Sequence, residues 1–440
     1  MSSAIVVGGG WAGLSSAVEL ADLGFKVTLL EASGRLGGRA SSFTDKTTGV
    51  CVDNGQHLLM GCYHATLQFL KKIGTLENLE VQKNLSVDFV NKEGKFFSLK
   101  CSNVPSPFHI LSGLWNLGSL TLREKLSCLK LGQALQELGP NGNSQLTVEE
   151  WLKTLDQSEN ARKSFWHPLT LATLNEQPHI AEAESLKVVL REAFFSSKED
   201  SRIYISKVGL SDLCGPSSEK YLRERGGEIV LNALVSKINS TGDKVEAVEL
   251  RDGSKLTADV YVSSLPFFAL KNVLSLEQYE TPFFSKIKNL KSSPIFSISL
   301  WFDRSITDRD FVGFIDMETH WLFNKSKIHN LSQEGALSLV ISGAHKYLDF
   351  SNEELLDLAL RDLNRAFPIS KNARLTHSLI QREKNATLSP RVGFSEFRLP
   401  QKTPLNNFFL AGDWTHTGYP ATIESAVLSG QKAAYACCLL

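Results

Sequence analysis

The chain has 440 residues, more than one ordinary hydrophobic core holds and suited to two compact domains. Apolar residues make up 42% and charged residues 21%, with 47 basic against 47 acidic side chains, a balance that excludes an overall basic chain and gives no sign of a nucleic-acid binder, though it leaves local charge asymmetry open. Seven cysteines, an odd number with no C-x-x-C pair, exclude a disulfide framework and a zinc site; no run of about 18 apolar residues is present to span a membrane.

Ala4 to Val7 reads as a short buried strand stopped by glycine. Residues 12–23 read as a helix with Leu14, Ala17, Val18 and Ala21 on one face and Gly24 as its stop. Lys26 to Leu30 is the next strand, so the first 31 residues form one right-handed βαβ unit. The early strand leaves no room for a basic, apolar leader, and the thiols suit a reducing compartment; the chain is expected in the cytoplasm. Residues 61–200 are mostly helical in pattern. Glu228 to Leu231, Val235 to Ile238 and Lys244 to Leu250 alternate as strands do. Residues 266–390 mix strands, at Ile295 to Phe302 and Ala336 to Ile341, with a helix from Asn352 to Phe367. Phe408 to Ala411 is a buried strand, and Ala421 to Cys438 a closing helix with Pro420 at its entry.

Gly8, Gly10 and Gly13 supply G-x-G-x-x-G, with Trp11 and Ala12 between the last two. Gly8 allows the turn after the strand, Gly10 lets a pyrophosphate approach the backbone, and Gly13 lets helix and strand pack closely. The helix start offers free N–H groups and partial positive charge to phosphates. Glu31, ending the second strand, is placed to accept ribose hydroxyls. A dinucleotide site follows.

Glu31 to Arg39 then adds Arg35, Gly38 and Arg39, whose guanidinium forks and glycine backbone suit a loop around a diphosphate. This Gly-Gly-Arg block resembles the second motif of the amine-oxidase and carotenoid-desaturase superfamily of flavoproteins. The resemblance implies FAD rather than NAD. Leu410 to Thr415, with Gly412 and Asp413, and Ala421 to Glu424, with Thr422 and Ile423, resemble the superfamily's last flavin motif and flavin-contacting helix. It implies that Asp413 binds the ribityl chain or pyrophosphate, that backbone near Ile423 faces the flavin pyrimidine, and that Val235 contacts adenine. Covalent members attach flavin through a cysteine just before the last motif. None lies between Cys214 and Cys437, so the FAD is expected to be non-covalent. The fold expected is α/β: a Rossmann-like FAD-binding domain (1–60, 201–265 and 391–440) interleaved with an α+β substrate domain (61–200 and 266–390).

An amine oxidase would carry an aromatic cage wall where Thr422 stands. Asp53 to Gly61, with Tyr63, Pro168-Leu169, Val208 to Leu213 and Pro420 to Glu424, more closely resemble the bacterial hydroxysqualene dehydroxylases, also called squalene-associated FAD-dependent desaturases, and the resemblance implies that Gly55 and Gln56 contact the FAD. His167 departs from that pattern. The resemblance implies a C30 isoprenoid substrate whose allylic hydroxyl leaves as water while hydride from reduced FAD yields squalene, and an electron donor that the sequence does not identify. Catalysis then needs a proton donor and a dry apolar tunnel. His57, His416 and Tyr419 are the candidate donors. Asp53 is expected to fix local backbone or the flavin, and Glu424 to serve a helix dipole. Phe194-Phe195 and Phe267-Phe268 are candidate tunnel walls, although such pairs are more often plain core. Residues 104–122, apolar and aromatic and followed by Arg123 and Lys125, suit either a peripheral contact with the inner membrane or a buried helix pair. An oxidative polyene desaturase is a rival with the same flavin. A prenyl-lipid escort module would need none of Arg35, Arg39 or Asp413, and an NAD-only dehydrogenase leaves the later blocks unexplained.

Overall fold

The computed structural model describes residues 2–136 and 145–439. A five-stranded parallel sheet forms in the order Glu228–Val230, Lys26–Leu30, Ser3–Val7, Val260–Ser263, Phe408–Leu410. Its central strand is the first in the chain, and the last strand in the chain forms one edge. Helix Trp11–Asp22 is buried on every side from Trp11 to Ala21, because helix Ile423–Cys437 packs along it. The approach is close: a Cβ at Gly430 would sit 2.3 Å from the carbonyl oxygen of Ala12, and Ser15 Oγ donates to Val427 O at 2.9 Å. The two ends of the chain thereby build one face of the sheet.

The second sheet has seven strands, in the order Leu375–Leu388, Ser292–Phe302, Ala336–Ser342, Trp321–Asn324, Phe311–Ile315, Ser86–Asn91, Phe96–Lys100. Its pairs are antiparallel except Phe311–Ile315 with Ser86–Asn91. Helix Asn352–Ala366, begun by a Ser351–Glu354 capping box, lays Leu355, Leu358, Ala359 and Leu363 on one face against Phe296, Ile298 and Leu300. Helices between Phe108 and Phe195 cover the other face.

Three differences from the sequence reading have physical causes. Ser86–Asn91 and Phe96–Lys100 are strands inside the stretch read as helical; a hairpin of such short strands carries too few residues for its period to stand out. Strand Leu375–Leu388 escaped notice because most of its residues are half-buried on both faces, so its sequence does not alternate. The last helix starts at Ile423 rather than Ala421. Thr422 is its N-cap, accepting from Ser425 N at 3.2 Å, and Pro420 stands ahead of it in the loop.

Candidate active site

One cavity of 710 Å³ runs from the parallel sheet to the layer between the seven-stranded sheet and its helices. One end is lined by Gly8, Gly10, Trp11, Ala12, Glu31, Gly38, Arg39 and Val235. The middle is lined by Gly55, Gln56, His57, Gly412, Asp413, Thr422 and Ile423, and the far arm by apolar side chains such as Leu114, Leu131, Phe165, Phe194 and Phe323.

The first end is built by close backbone approach. Gly8 has φ +105°, which an L side chain rarely adopts, and its N–H donates to Leu30 O at 2.8 Å. A Cβ on Gly13 would lie 1.9 Å from Gly8 O, so only glycine lets the helix start against the strand. Gly13 therefore acts in packing and does not line the cavity. The helix begins at Trp11 with no side-chain cap, leaving its first N–H groups for a ligand. Glu31 is held rigid: Oε2 accepts from Gly9 N and Oε1 from Ser33 N, each at 2.7 Å, and each oxygen keeps a lone pair for a hydroxyl. Trp11 Nε1 donates to Ala40 O at 3.2 Å and ties the helix start to the arginine loop.

Arg39 Nη2 meets Asp413 Oδ1 at 2.5 Å, joining the N-terminal and C-terminal motifs across the cavity. Arg398, which no motif had singled out, organises the C-terminal side. Its buried guanidinium donates to the carbonyl oxygens of Trp414 (3.3 Å), Tyr419 (2.6 Å) and Asp413 (2.9 Å), and to Thr417 and Ser425 hydroxyls. Burial lowers its pKa to about 10, which still leaves it charged at neutral pH. Glu424 serves a helix dipole, as expected, but that of helix His64–Lys72: its carboxylate accepts from Ala65 N, Thr66 N and Thr66 Oγ1.

Behind the middle of the cavity lies a buried ionic cluster. Lys325 Nζ donates to Asp53 Oδ2 at 2.6 Å, to Gln56 Oε1 at 2.6 Å and to His329 Nε2 at 3.1 Å. Asp53 also accepts from Ser42 Oγ and Leu210 N, the latter at the start of helix Leu210–Arg223. Asp53 therefore fixes backbone, one of the two roles its sequence context left open. Burial, with Lys325 adjoining, lowers the His329 pKa to about 4.

Several residues fall elsewhere than expected. Arg35 is exposed beside Phe43 and does not line the cavity, because the loop turns its side chain outward while Leu36 takes the buried position. His416 and Tyr419 also lie off the cavity wall: the loop is drawn towards Arg398 by the Tyr419 carbonyl, and His416 N donates to Leu399 O. His57 does reach the wall. Its Nδ1 lies 3.1 Å from Gly55 O, which can only accept, so Nδ1 carries the proton; burial lowers the ring's pKa, favouring neutral imidazole and disfavouring an acid. Phe194 and Phe195 line the far arm, whereas Phe267 belongs to the core under the parallel sheet. His167 is bonded through Nε2 to Glu149 at 2.8 Å and lies off the cavity. Tyr63, Glu383 and Gln381 are wall residues to which no role had been given; the last two sit on the unrecognised strand Leu375–Leu388.

A free helix N-terminus, a paired carboxylate for ribose, a bridging arginine and a second capped helix start fit FAD end to end. The comparisons agree. The family model described as flavin containing amine oxidoreductase matches residues 11–438. The chain is 28% identical over 442 residues to a hydroxysqualene dehydroxylase of Zymomonas mobilis, covering 99% of this chain and 98% of that one. It is also 28% identical over 465 residues to a 15-cis-phytoene desaturase of an Oncidium hybrid, covering 98% and 77%. Among solved structures, an oxidoreductase from Methanosarcina mazei superposes with a TM-score of 0.75 at 18% identity, covering 97% and 98%. A putrescine oxidase variant gives 0.75 at 15%, covering 100% and 99%. This chain is an FAD-dependent oxidoreductase and belongs to the flavin-containing amine oxidoreductase family.

Proposed function

We propose that the chain reductively removes the allylic hydroxyl of hydroxysqualene to give squalene. The observation that carries this reading is the continuity of the dinucleotide cradle with a long apolar arm, with polar groups gathered where the two meet. The allylic C–O bond breaks with its electron pair leaving on oxygen, a hydride closes the new C–H bond, and a proton completes water. Bound reduced FAD supplies the hydride. The protein aims the allylic carbon, keeps bulk water out of the arm and delivers the proton. Outside the dinucleotide motifs and the apolar arm, the titratable side chains described on the wall are His57, Tyr63 and Glu383. Tyr63 is a neutral phenol at ordinary pH, its pKa pushed up by burial, and its hydroxyl meets Thr422.

The FAD is held non-covalently by a unit comprising residues 1–60, 201–265 and 391–440, and the substrate by residues 61–200 and 266–390. Substrate enters from a lipid surface. Helix Phe108–Asn116 turns Ile110 and Leu114 into the cavity while Phe108 and Trp115 remain 63% and 58% exposed, with Leu122, Leu126, Arg123 and Lys125 beside them. That pairing of apolar and cationic groups suits an interfacial contact. No described helix is long and apolar enough to cross a membrane.

The second reading, an oxidative polyene desaturase, is favoured by the equal similarity to the phytoene desaturase. Product identity separates them. Reduced enzyme given hydroxysqualene should yield squalene, and oxidised enzyme given phytoene should leave it colourless. Conjugated products from phytoene, with hydroxysqualene untouched, favour the desaturase.

A further inference from the structure

We propose that Glu383 is the acid of the reaction: its carboxyl gives the proton that turns the leaving hydroxyl into water. The inference rests on the functional reading above and names the residue that performs the proton step.

The register of the seven-stranded sheet places the group. Glu383 pairs with Ile295, and Ile295 with Ser342; two residues along each strand, Gln381 pairs with Ser297, Ser297 with Val340 and Val340 with Trp321. Residues two apart share a face, and all of these line the cavity. The sheet therefore turns mostly polar side chains to the cavity at its Leu375–Leu388 edge and apolar ones further in, where the rings of Trp321 and Phe89, centroids 6.0 Å apart, close over Gly313. A hydrocarbon chain laid across the strands, with its hydroxyl at the edge strand, matches that change.

A bulge holds Glu383 beside the cofactor motifs. Pro294, with no N–H for the ladder, stands opposite three residues, Lys384, Asn385 and Ala386, and the pairing resumes at Thr387 with Ser293. Beyond Glu383 the strand is tied to both the Arg39 and the Ala421 blocks: Ala386 O accepts from Arg39 Nη1 at 3.1 Å, and Thr387 Oγ1 donates to Ala421 O at 3.2 Å. Arg382 turns to the opposite face, over the ring of Phe296. Among the described residues the Glu383 carboxylate accepts from Asn385 N alone, at 3.3 Å, and has no ion-pair partner.

The neighbouring titratable groups are poor acids. Asp413 is paired with Arg39, and neutral His57 keeps its one proton on Gly55 O. Donation from Tyr63 would leave a phenolate that burial, with Cys62 and Glu424 close by, disfavours. Glu383 is half-buried, between the cavity and the exposed Lys384 and Asn385, so it regains a proton from solvent after each turnover. A carboxylate without a cation takes up a proton when hydrocarbon displaces the water over it, so the bound chain itself readies the acid. In the step, the C–O electron pair stays on oxygen, the carboxyl proton joins it to form water, the hydride closes the C–H bond, and Glu383 is left as carboxylate.

The test is a single turnover by FAD-loaded, dithionite-reduced enzyme on hydroxysqualene and on its acetate ester, whose leaving group departs without a proton. Wild type should give squalene from both. Glu383→Gln should slow the alcohol about 100-fold or more while the ester keeps its wild-type rate. The Kd of hydroxysqualene for oxidised enzyme, read from the perturbation of the flavin spectrum, and the flavin potential should stay put. Glu383→Ala should regain turnover of the alcohol when formate is added, a readout that holds even if the ester does not fit. Alcohol turnover at the wild-type rate in Glu383→Gln overturns the assignment. So does equal slowing of alcohol and ester, or, where wild type refuses the ester, a Glu383→Ala enzyme that formate does not revive. A wild-type enzyme that stays reduced with both substrates overturns the functional reading itself.

Discussion

Arg39 and Asp413 stand 374 residues apart in sequence and meet at 2.5 Å, closing the cavity where the first and last motifs face each other. The guanidinium also donates to Ala386 O at 3.1 Å, so a single side chain links the glycine loop, the C-terminal motif and strand Leu375–Leu388.

Loss of that bridge should weaken cofactor binding more than folding. Charge-assisted hydrogen bonds are strong and directional. Arg39→Gln should raise the FAD dissociation constant about 10- to 100-fold, read from quenching of flavin fluorescence as apoprotein is titrated in. An unchanged constant would remove Arg39 from the cofactor site.

Glu424 predicts the opposite balance. It caps helix His64–Lys72 from a buried position with three accepted bonds. Glu424→Ala should cost about 1–2 kcal/mol of stability in urea unfolding. Stability equal to wild type would mean that backbone groups of that helix find other partners.

A pH dependence follows from His320. Its Nδ1 accepts from Ser342 N at 3.0 Å, which requires the neutral ring, and burial lowers its pKa to about 4. The unfolded chain binds a proton near pH 6.5 that the folded chain refuses, so stability falls as pH drops from 6.5 towards 4. At pH 5 this one group costs about 2 kcal/mol. Glu182, its carboxyl pushed up to about 7 by burial, runs the other way, because acid relieves the cost of its buried charge. The informative quantity is therefore the difference between wild type and His320→Asn, which keeps an acceptor at the Nδ1 position. The acid-induced loss should be smaller in the variant, and parallel pH profiles would contradict the assignment.

Denaturation should release the flavin. Cys128 is the one cysteine described on the cavity wall, and it belongs to the apolar arm, where burial raises its pKa to about 12 and disfavours the thiolate. Acid precipitation should leave yellow FAD in the supernatant. Flavin retained on the pellet would show a covalent link through some other atom.

How much of this was legible in sequence depended on distance along the chain. Gly8 and Gly13 lie within one βαβ unit, where a motif states its own geometry: the first turns the chain after the strand and the second lets the helix pack against it. The Asp413 and Ile423 blocks were legible by resemblance. Lys325 was not: it sits 272 residues from Asp53, in no motif, and becomes meaningful only when the second sheet folds over the first. Arg398 was equally silent, since its partners are mainly backbone carbonyls, which leave no mark in the sequence. Local spacing also misdirected. His416 and Tyr419 lie beside the flavin motif in sequence, yet the loop that Arg398 gathers keeps them off the wall.

The most direct test of the central claim is an anaerobic single turnover. The purified flavoprotein is reduced with dithionite, hydroxysqualene is added in detergent, and the flavin band near 450 nm is followed while lipids are extracted. The account predicts return of the oxidised spectrum with one squalene formed per flavin. A flavin that stays reduced, with hydroxysqualene recovered intact, would contradict it.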